Sequence, residues 1–251
     1  MTMSRRRTWV EITIVLLLSL GASALYSILQ IIDDLSQTTP LGEQSTALNT
    51  SSTTVQYVDL ARQLLGIAVD LAPVALVCYL LWSTSRPHLG RLGIDRFRAK
   101  PDLGGPALIA LCIGIPGLAL YFAGRALGIT VAVDPAALNS YWWTIPVLLL
   151  SAIRSGLQEE VIVIGYLYAR LGDLGWGRWQ MILSTALLRG SYHLYQGFGA
   201  FIGNAVMGVV FGWIYTKWGR LLPLVITHAL LDAVVFVGYP WVAHAFPQLF
   251  A

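Results

Sequence analysis

Seven apolar windows divide this chain of 251 residues, at 9–32, 57–82, 103–123, 141–170, 179–196, 200–217 and 221–239. A helix needs a run of roughly 20 apolar residues to span a bilayer core. In that medium the backbone must satisfy its own N–H and C=O groups, which leaves helices and closed barrels. Windows of this length read as helices. The expected fold class is therefore all-α: a polytopic transmembrane helical bundle of seven to eight membrane segments, with a polar site cavity among the C-terminal helices. Composition agrees, since 56% of the residues are hydrophobic and 12% charged, against about 25% charged in an average soluble domain. The fourth window is too long for one straight crossing. It is expected to tilt or to break near residues 151–156. The stretch 240–251 is expected to be a tail or a short eighth segment, because Pro240 and Pro247 oppose a full crossing. The first window follows Arg5, Arg6 and Arg7 and contains Ala22-Ser23-Ala24, which resembles a signal-peptidase site. Its apolar run continues to Ile32, so a retained first helix is expected rather than a cleaved leader.

Lys and Arg set the orientation. With the N-terminus in the cytoplasm, Arg5, Arg6, Arg7, Arg86, Arg91, Arg96, Arg98, Lys100, Arg170, Arg178, Lys217 and Arg220 share the cytoplasmic side, leaving Arg62, Arg125, Arg154 and Arg189 elsewhere. The loop 33–56 is rich in Ser and Thr and lacks Lys and Arg. It is expected to be extracytoplasmic and mobile, and Asn49-Thr50-Ser51 within it matches a glycosylation sequon. The basic loop 84–102 reads as a topology signal that also meets anionic lipid head groups. The lipid bilayer is thus a partner, no feature points to nucleic acid, and none sets an oligomeric state. Cys78 and Cys112 match no metal or redox spacing and read as small core hydrophobes. The chain divides into an N-terminal transmembrane region at 1–139, a core at 140–238 and a tail at 239–251.

Polar residues inside the windows carry the chemistry. Glu159 and Glu160 are adjacent in apolar sequence, where an unpaired carboxylate costs several kcal/mol. Neighbours on a helix lie about 100° apart, so one glutamate is expected to enter a cavity and the other to brace a neighbouring helix. His228 and Asp232 share a face at i and i+4, as do Arg189 and His193. At a rise of about 1.5 Å per residue, these groups lie roughly 10–22 Å from the cytoplasmic ends of their segments. They converge on one layer. The chemistry that fits is water activation, with a glutamate as general base, a histidine beside it, and a second histidine for an oxyanion. Two His and a Glu are also a zinc set, although His-Glu-x-x-His on one helix is absent.

In this order, Glu159-Glu160, Arg189-x-x-x-His193 and His228-x-x-x-Asp232 resemble the motifs of the CAAX protease and bacteriocin-processing (CPBP) family of intramembrane proteases, over roughly residues 140–238. The resemblance implies a helical membrane fold with a site open towards the cytoplasm, and an integral protein of a bacterial-type plasma membrane. It implies an endopeptidase acting on a membrane-associated peptide or protein substrate, with Glu159 and His193 activating water and His228 and Asp232 at the oxyanion. Members are described both as metalloproteases and as metal-free. The cofactor therefore stays open between none and a divalent metal such as zinc, held by Glu159, His193 and His228. Two positions depart from the family pattern. Its Arg after the paired glutamates falls at Ile164, and its Phe before the histidine falls at Arg189. A relocated counter-charge is expected, with Arg189 reaching Glu160 or Glu159 from its own helix; loss of activity is the other reading of the same departures.

Supporting positions follow. Asn204 is expected either to donate to substrate or to bond between helices. Gly203 and Gly208 are expected to allow close helix approach. Tyr166, Tyr192, Tyr195 and Gln196 are candidates to line a cavity, and Asp70 to pair with Arg154 or Arg62. Trp142, Trp143, Trp176 and Trp179 read as interface markers. His88 and His244 have no assigned role. Against the protease stand an ion- or proton-coupled transporter using the same buried groups, and a catalytically inactive scaffold of the same family.

Overall fold

The computed structural model describes residues 4–82, 92–94 and 100–245. Most of the basic loop, with His88 and Arg86, Arg91, Arg96 and Arg98, lies outside the described residues, as do the tail from 246 and the side chains of Lys100 and His244. The chain is a helical bundle. Helices α1 (Arg5–Leu17) and α2 (Leu20–Ser36) follow one another across a bend of 57°. Then come α3 (Gln56–Asp70) and α4 (Ala72–Leu80), whose junction carries Pro73 in the first turn of α4, where a missing N–H is tolerated. Helix α5 spans Gly105–Ala126, α6 Thr144–Glu159 and α7 Leu167–Asp173, with a π-helical stretch at Glu160–Tyr166 joining the last two. The bundle closes with α8 (Arg178–Tyr192), α9 (Phe198–Trp218), α10 (Leu222–Ala233) and α11 (Tyr239–Ala245).

Among the described residues, four helical runs are long and apolar enough to cross a bilayer: Gln56–Leu80, Asp102–Ala126, Phe198–Trp218 and Leu222–Val242. The bent pair α1 and α2 makes a fifth if it is one span. The expected seven to eight is not reached by this measure, for a physical reason. The window 141–170 carries Arg154, Glu159, Glu160 and Arg170, and α8 has only 15 residues. Each exposes one apolar face, with Ile145, Leu149 and Ile153 in the window and Leu183 and Leu187 in α8, and only the middle of the window is enclosed. From 159 to 168 every residue is buried, the pattern of a helix surrounded by others. Val161, Ile162, Val163, Ile164 and Tyr166 form the centre of the main core with Leu92, Ile182, Phe211, Leu221 and Leu224. Outside this centre, Leu108, Leu111, Ile115 and Leu118 of α5 are exposed, as suits a surface solvated by lipid. The fourth window does not break at 151–156, where α6 is continuous; its irregularity falls at the π-helical stretch.

The loop after α2 differs from its expectation. Residues Ser45–Ala47 (β1) pair in parallel with Ala132–Asp134 (β2). Gln44 Nε2 donates to the carbonyls of Asp34 and Thr39, both at 2.8 Å. The sequon residue Asn49 donates through Nδ2 to Pro135 O at 2.8 Å. Polar side chains that composition reads as solvated are used to hold backbone, and the loop is tied down. Trp143 also departs from its reading. Only 1% exposed, it packs with Val147, Leu148 and Phe236, whereas Trp142 and Trp179 are exposed and Trp176 meets Trp9 edge-on. Cys78 is half-buried and Cys112 exposed, both free, so Cys112 is no core residue.

Candidate active site

The glutamate pair stands where α6 passes into the π-helical stretch, an irregularity that recurs at functional sites. Here the two carboxylates take different neighbours within one cluster. Glu160 is fully buried, and its Oε1 accepts from Arg189 Nη2 at 2.6 Å and faces His228 Nδ1 at 2.6 Å. Glu159 Oε2 accepts from the Tyr192 hydroxyl at 2.7 Å and lies 3.7 Å from His193 Nε2. Its Oε1 lies 3.9 Å from His228 Nε2. The His228 ring thus sits between both glutamates, and Asp232 Oδ2 is 3.7 Å from the same Nε2. With Nδ1–H directed at Glu160, the ring orientation is fixed and Nε2 is turned to Glu159 and Asp232.

Arg189 takes the place expected of a counter-charge. It is fully buried, bonds Glu160, stands 3.8 Å from Glu159 through Nη1, and lies over the Phe211 ring at 5.5 Å. Gly208 lets α8 and α9 approach here, since a Cβ on it would lie 2.8 Å from Ala186 Cα. Isoleucine at 164 is buried in the apolar core. A guanidinium there would have no water to solvate it.

Of the residues singled out in sequence, Glu159, Glu160, Arg189, His193, His228 and Asp232 come together. Asn204 does not join them: its Nδ2 donates to Ala200 O of its own helix at 3.0 Å. Asp70 pairs with Arg154 at 3.4 Å. Tyr166 is buried and donates to Glu11 Oε1 at 3.0 Å. Tyr192, in sequence a candidate cavity residue, has a further role as the donor to Glu159; it stands one residue before His193, at the C-terminus of α8. A polar cavity of about 400 Å³ adjoins the cluster, lined by Ser23, Ser27, Asp34, Thr46, Tyr192 and Tyr195 among others. It lies at the end of the bundle occupied by β1 and β2, away from Arg170, Arg178 and Arg220.

A zinc ion would need its donors to converge at about 2.0–2.2 Å on one centre. Glu159 lies 3.7 Å from His193 Nε2 and 3.9 Å from His228 Nε2, wider than the roughly 3.3–3.5 Å between ligands of one tetrahedral ion, and its Oε2 accepts from Tyr192. Among the described residues, no group of three or more His, Cys, Asp or Glu is arranged to hold a metal ion.

The fold and site define a helical membrane protein with a buried Glu/His cluster. The model of the family described as Type II CAAX prenyl endopeptidase Rce1-like matches residues 141–234, a segment that contains every member of the cluster. No curated protein and no solved structure matches the chain.

Proposed function

We propose that this chain is an intramembrane endopeptidase that hydrolyses peptide bonds of membrane-associated peptides or proteins. One observation carries the reading: Glu159 lies 3.7 Å from His193 Nε2 and 3.9 Å from His228 Nε2. Such separations suit a water that hydrogen-bonds both sides. Neither ring nitrogen of His193 has a hydrogen-bond partner within the protein, though both are buried. Glu159 takes a proton from the water as its oxygen attacks the scissile carbonyl, and His193 orients that water. The tetrahedral oxyanion forms beside His228, which carries a proton on both ring nitrogens, gives Nδ1–H to Glu160 and donates Nε2–H to the oxyanion. The proton on Glu159 then passes to the leaving amine. Arg189 offsets the charge of the glutamate pair and touches no reacting atom. In this reading the run 144–173 also crosses the bilayer, its stretch at 159–168 enclosed by neighbouring helices, and the N-terminus is cytoplasmic.

The test is cleavage of a peptide library by purified protein in detergent, beside Glu159→Ala and His193→Ala. Cleavage by the parent, reduced at least ~10³-fold in both variants, is expected. Equal products from all three would reject the site. A chelator is expected to leave the rate unchanged; loss restored by zinc would overturn the metal-free water.

A further inference from the structure

The cavity beside Tyr192 has a strand along one wall. Ala132 N–H donates to Gln44 O at 2.9 Å and Leu48 N–H to Asp134 O at 2.7 Å, so residues 44 and 48 face β2. Parallel pairing alternates the residues that face the partner strand. Ser45 and Ala47 therefore direct their N–H and C=O groups away from β2, and both are exposed. Such an edge is a template for another strand. Ser45 and Thr46 line the cavity, with Ser23, Ser27, Gln30 and Asp34 of α2 opposite. Tyr192 closes it, and the hydroxyl of Tyr192 bonds Glu159. The groove thus leads from an open strand edge to the candidate general base.

Charge decides what fits. No Lys or Arg occurs between residues 8 and 61, whereas Glu11, Asp33, Asp34, Glu43 and Asp59 do. Asp34 is 7% exposed, lies in the cavity wall, and has one carboxylate oxygen bonded by Gln30 Nε2 at 2.8 Å. An acid so placed favours a cationic partner.

We propose that the groove between α2 and β1 binds an extended peptide segment as a third strand, with a Lys or Arg side chain directed at Asp34. Main-chain bonds to Ser45 and Ala47 supply the register, and the side-chain pocket supplies selectivity. The proposal rests on the peptidase reading for its consequence, since the bound segment would be the substrate's; binding itself is measured without turnover.

The experiment uses Glu159→Ala protein in detergent and a fluorescent eight-residue peptide with one central lysine, followed by anisotropy. N-methylation of the peptide backbone at alternate residues is expected to weaken binding at least tenfold, and at intervening residues to leave it unchanged. Replacing the lysine by norleucine is expected to weaken it at least tenfold, and Asp34→Asn to erase that preference. Ala47→Pro, which removes one outward N–H, should reproduce the N-methylation loss with an unchanged thermal midpoint. No binding, N-methylation effects without alternation, or a lysine preference that survives Asp34→Asn would each overturn the site. Binding with the alternating pattern, but no cleavage of the same peptide by the parent, would reject the peptidase and leave the strand site standing. Cleavage without alternation would reject the strand site alone.

Discussion

Arg62, Arg125, Arg154 and Arg189 lie away from the basic end of the bundle, and each is held by a specific acceptor. Arg62 donates to Ser52 O at 3.3 Å, Arg125 to Gly42 O at 2.6 Å and Thr130 O at 3.0 Å, and Arg154 pairs with Asp70. Arg189 is the extreme case, because both it and Glu160 are fully buried. Breaking such a pair leaves a desolvated charge and costs about 3–5 kcal/mol. Arg189→Met should lower stability in detergent by that amount, and Glu160→Gln in the same chain should recover part of it. The family pattern suggests a stricter check. Arg189→Phe with Ile164→Arg returns the counter-charge to the helix of Glu160. A double-mutant cycle by thermal unfolding should show the pair less damaging than the sum of the singles by at least ~1 kcal/mol; simple additivity would contradict the exchange. Tyr192→Phe removes the donor to Glu159, and turnover should fall about 10–100-fold while stability drops by roughly 1.5–3 kcal/mol. The partner of Arg189 was legible because a buried carboxylate demands one. The role of Tyr192 was not, because a tyrosine in an apolar helix signals packing as readily as hydrogen bonding.

At the scale of elements, the π-helical stretch and the close contact of α8 with α9 place the cluster. The irregular stretch leaves both glutamates facing one imidazole, which a regular helix read at about 100° per residue does not suggest. Its i→i+5 bonding has no signature in residue type, so the sequence showed a long window and not the cause of its length. The α8–α9 contact was legible through its glycines. At Gly208 an added methyl would meet the backbone of Ala186, which cannot swing aside as a side chain can. Gly208→Ala should therefore destabilise the protein by about 1–3 kcal/mol and, by moving Arg189, reduce turnover. Gly172→Ala, whose Cβ would meet nothing within 4 Å, is the control and should change neither. The loop after α2 was the least legible element. Its Ser, Thr, Gln and Asn residues have the composition of a solvated chain, and only the partner strand at 132–134, far along the sequence, gives those polar groups somewhere to bind.

For the whole molecule, the charge pattern and the cavity point to opposite ends. Arg170, Arg178, Lys217 and Arg220 mark one end, which the proposed orientation places in the cytoplasm by the positive-inside bias. The cavity beside Tyr192 and the edge of β1 lie at the other end, where the chain from residue 8 to 61 is free of Lys and Arg. A site reached from this end differs from the cytoplasmic opening that the family resemblance implies, so orientation determines which part of a substrate the chain can meet. Single cysteines settle it in a Cys78→Ala, Cys112→Ala background. Glu43→Cys lies in the exposed turn before β1, and Gly172→Cys is exposed near the end of α7. A membrane-impermeant maleimide applied to intact cells should label Glu43→Cys fully and Gly172→Cys only after permeabilisation. The reverse pattern would put the N-terminus outside. The acidic groove would then face the cytoplasm, and the peptide segments it could take would be cytosolic ones.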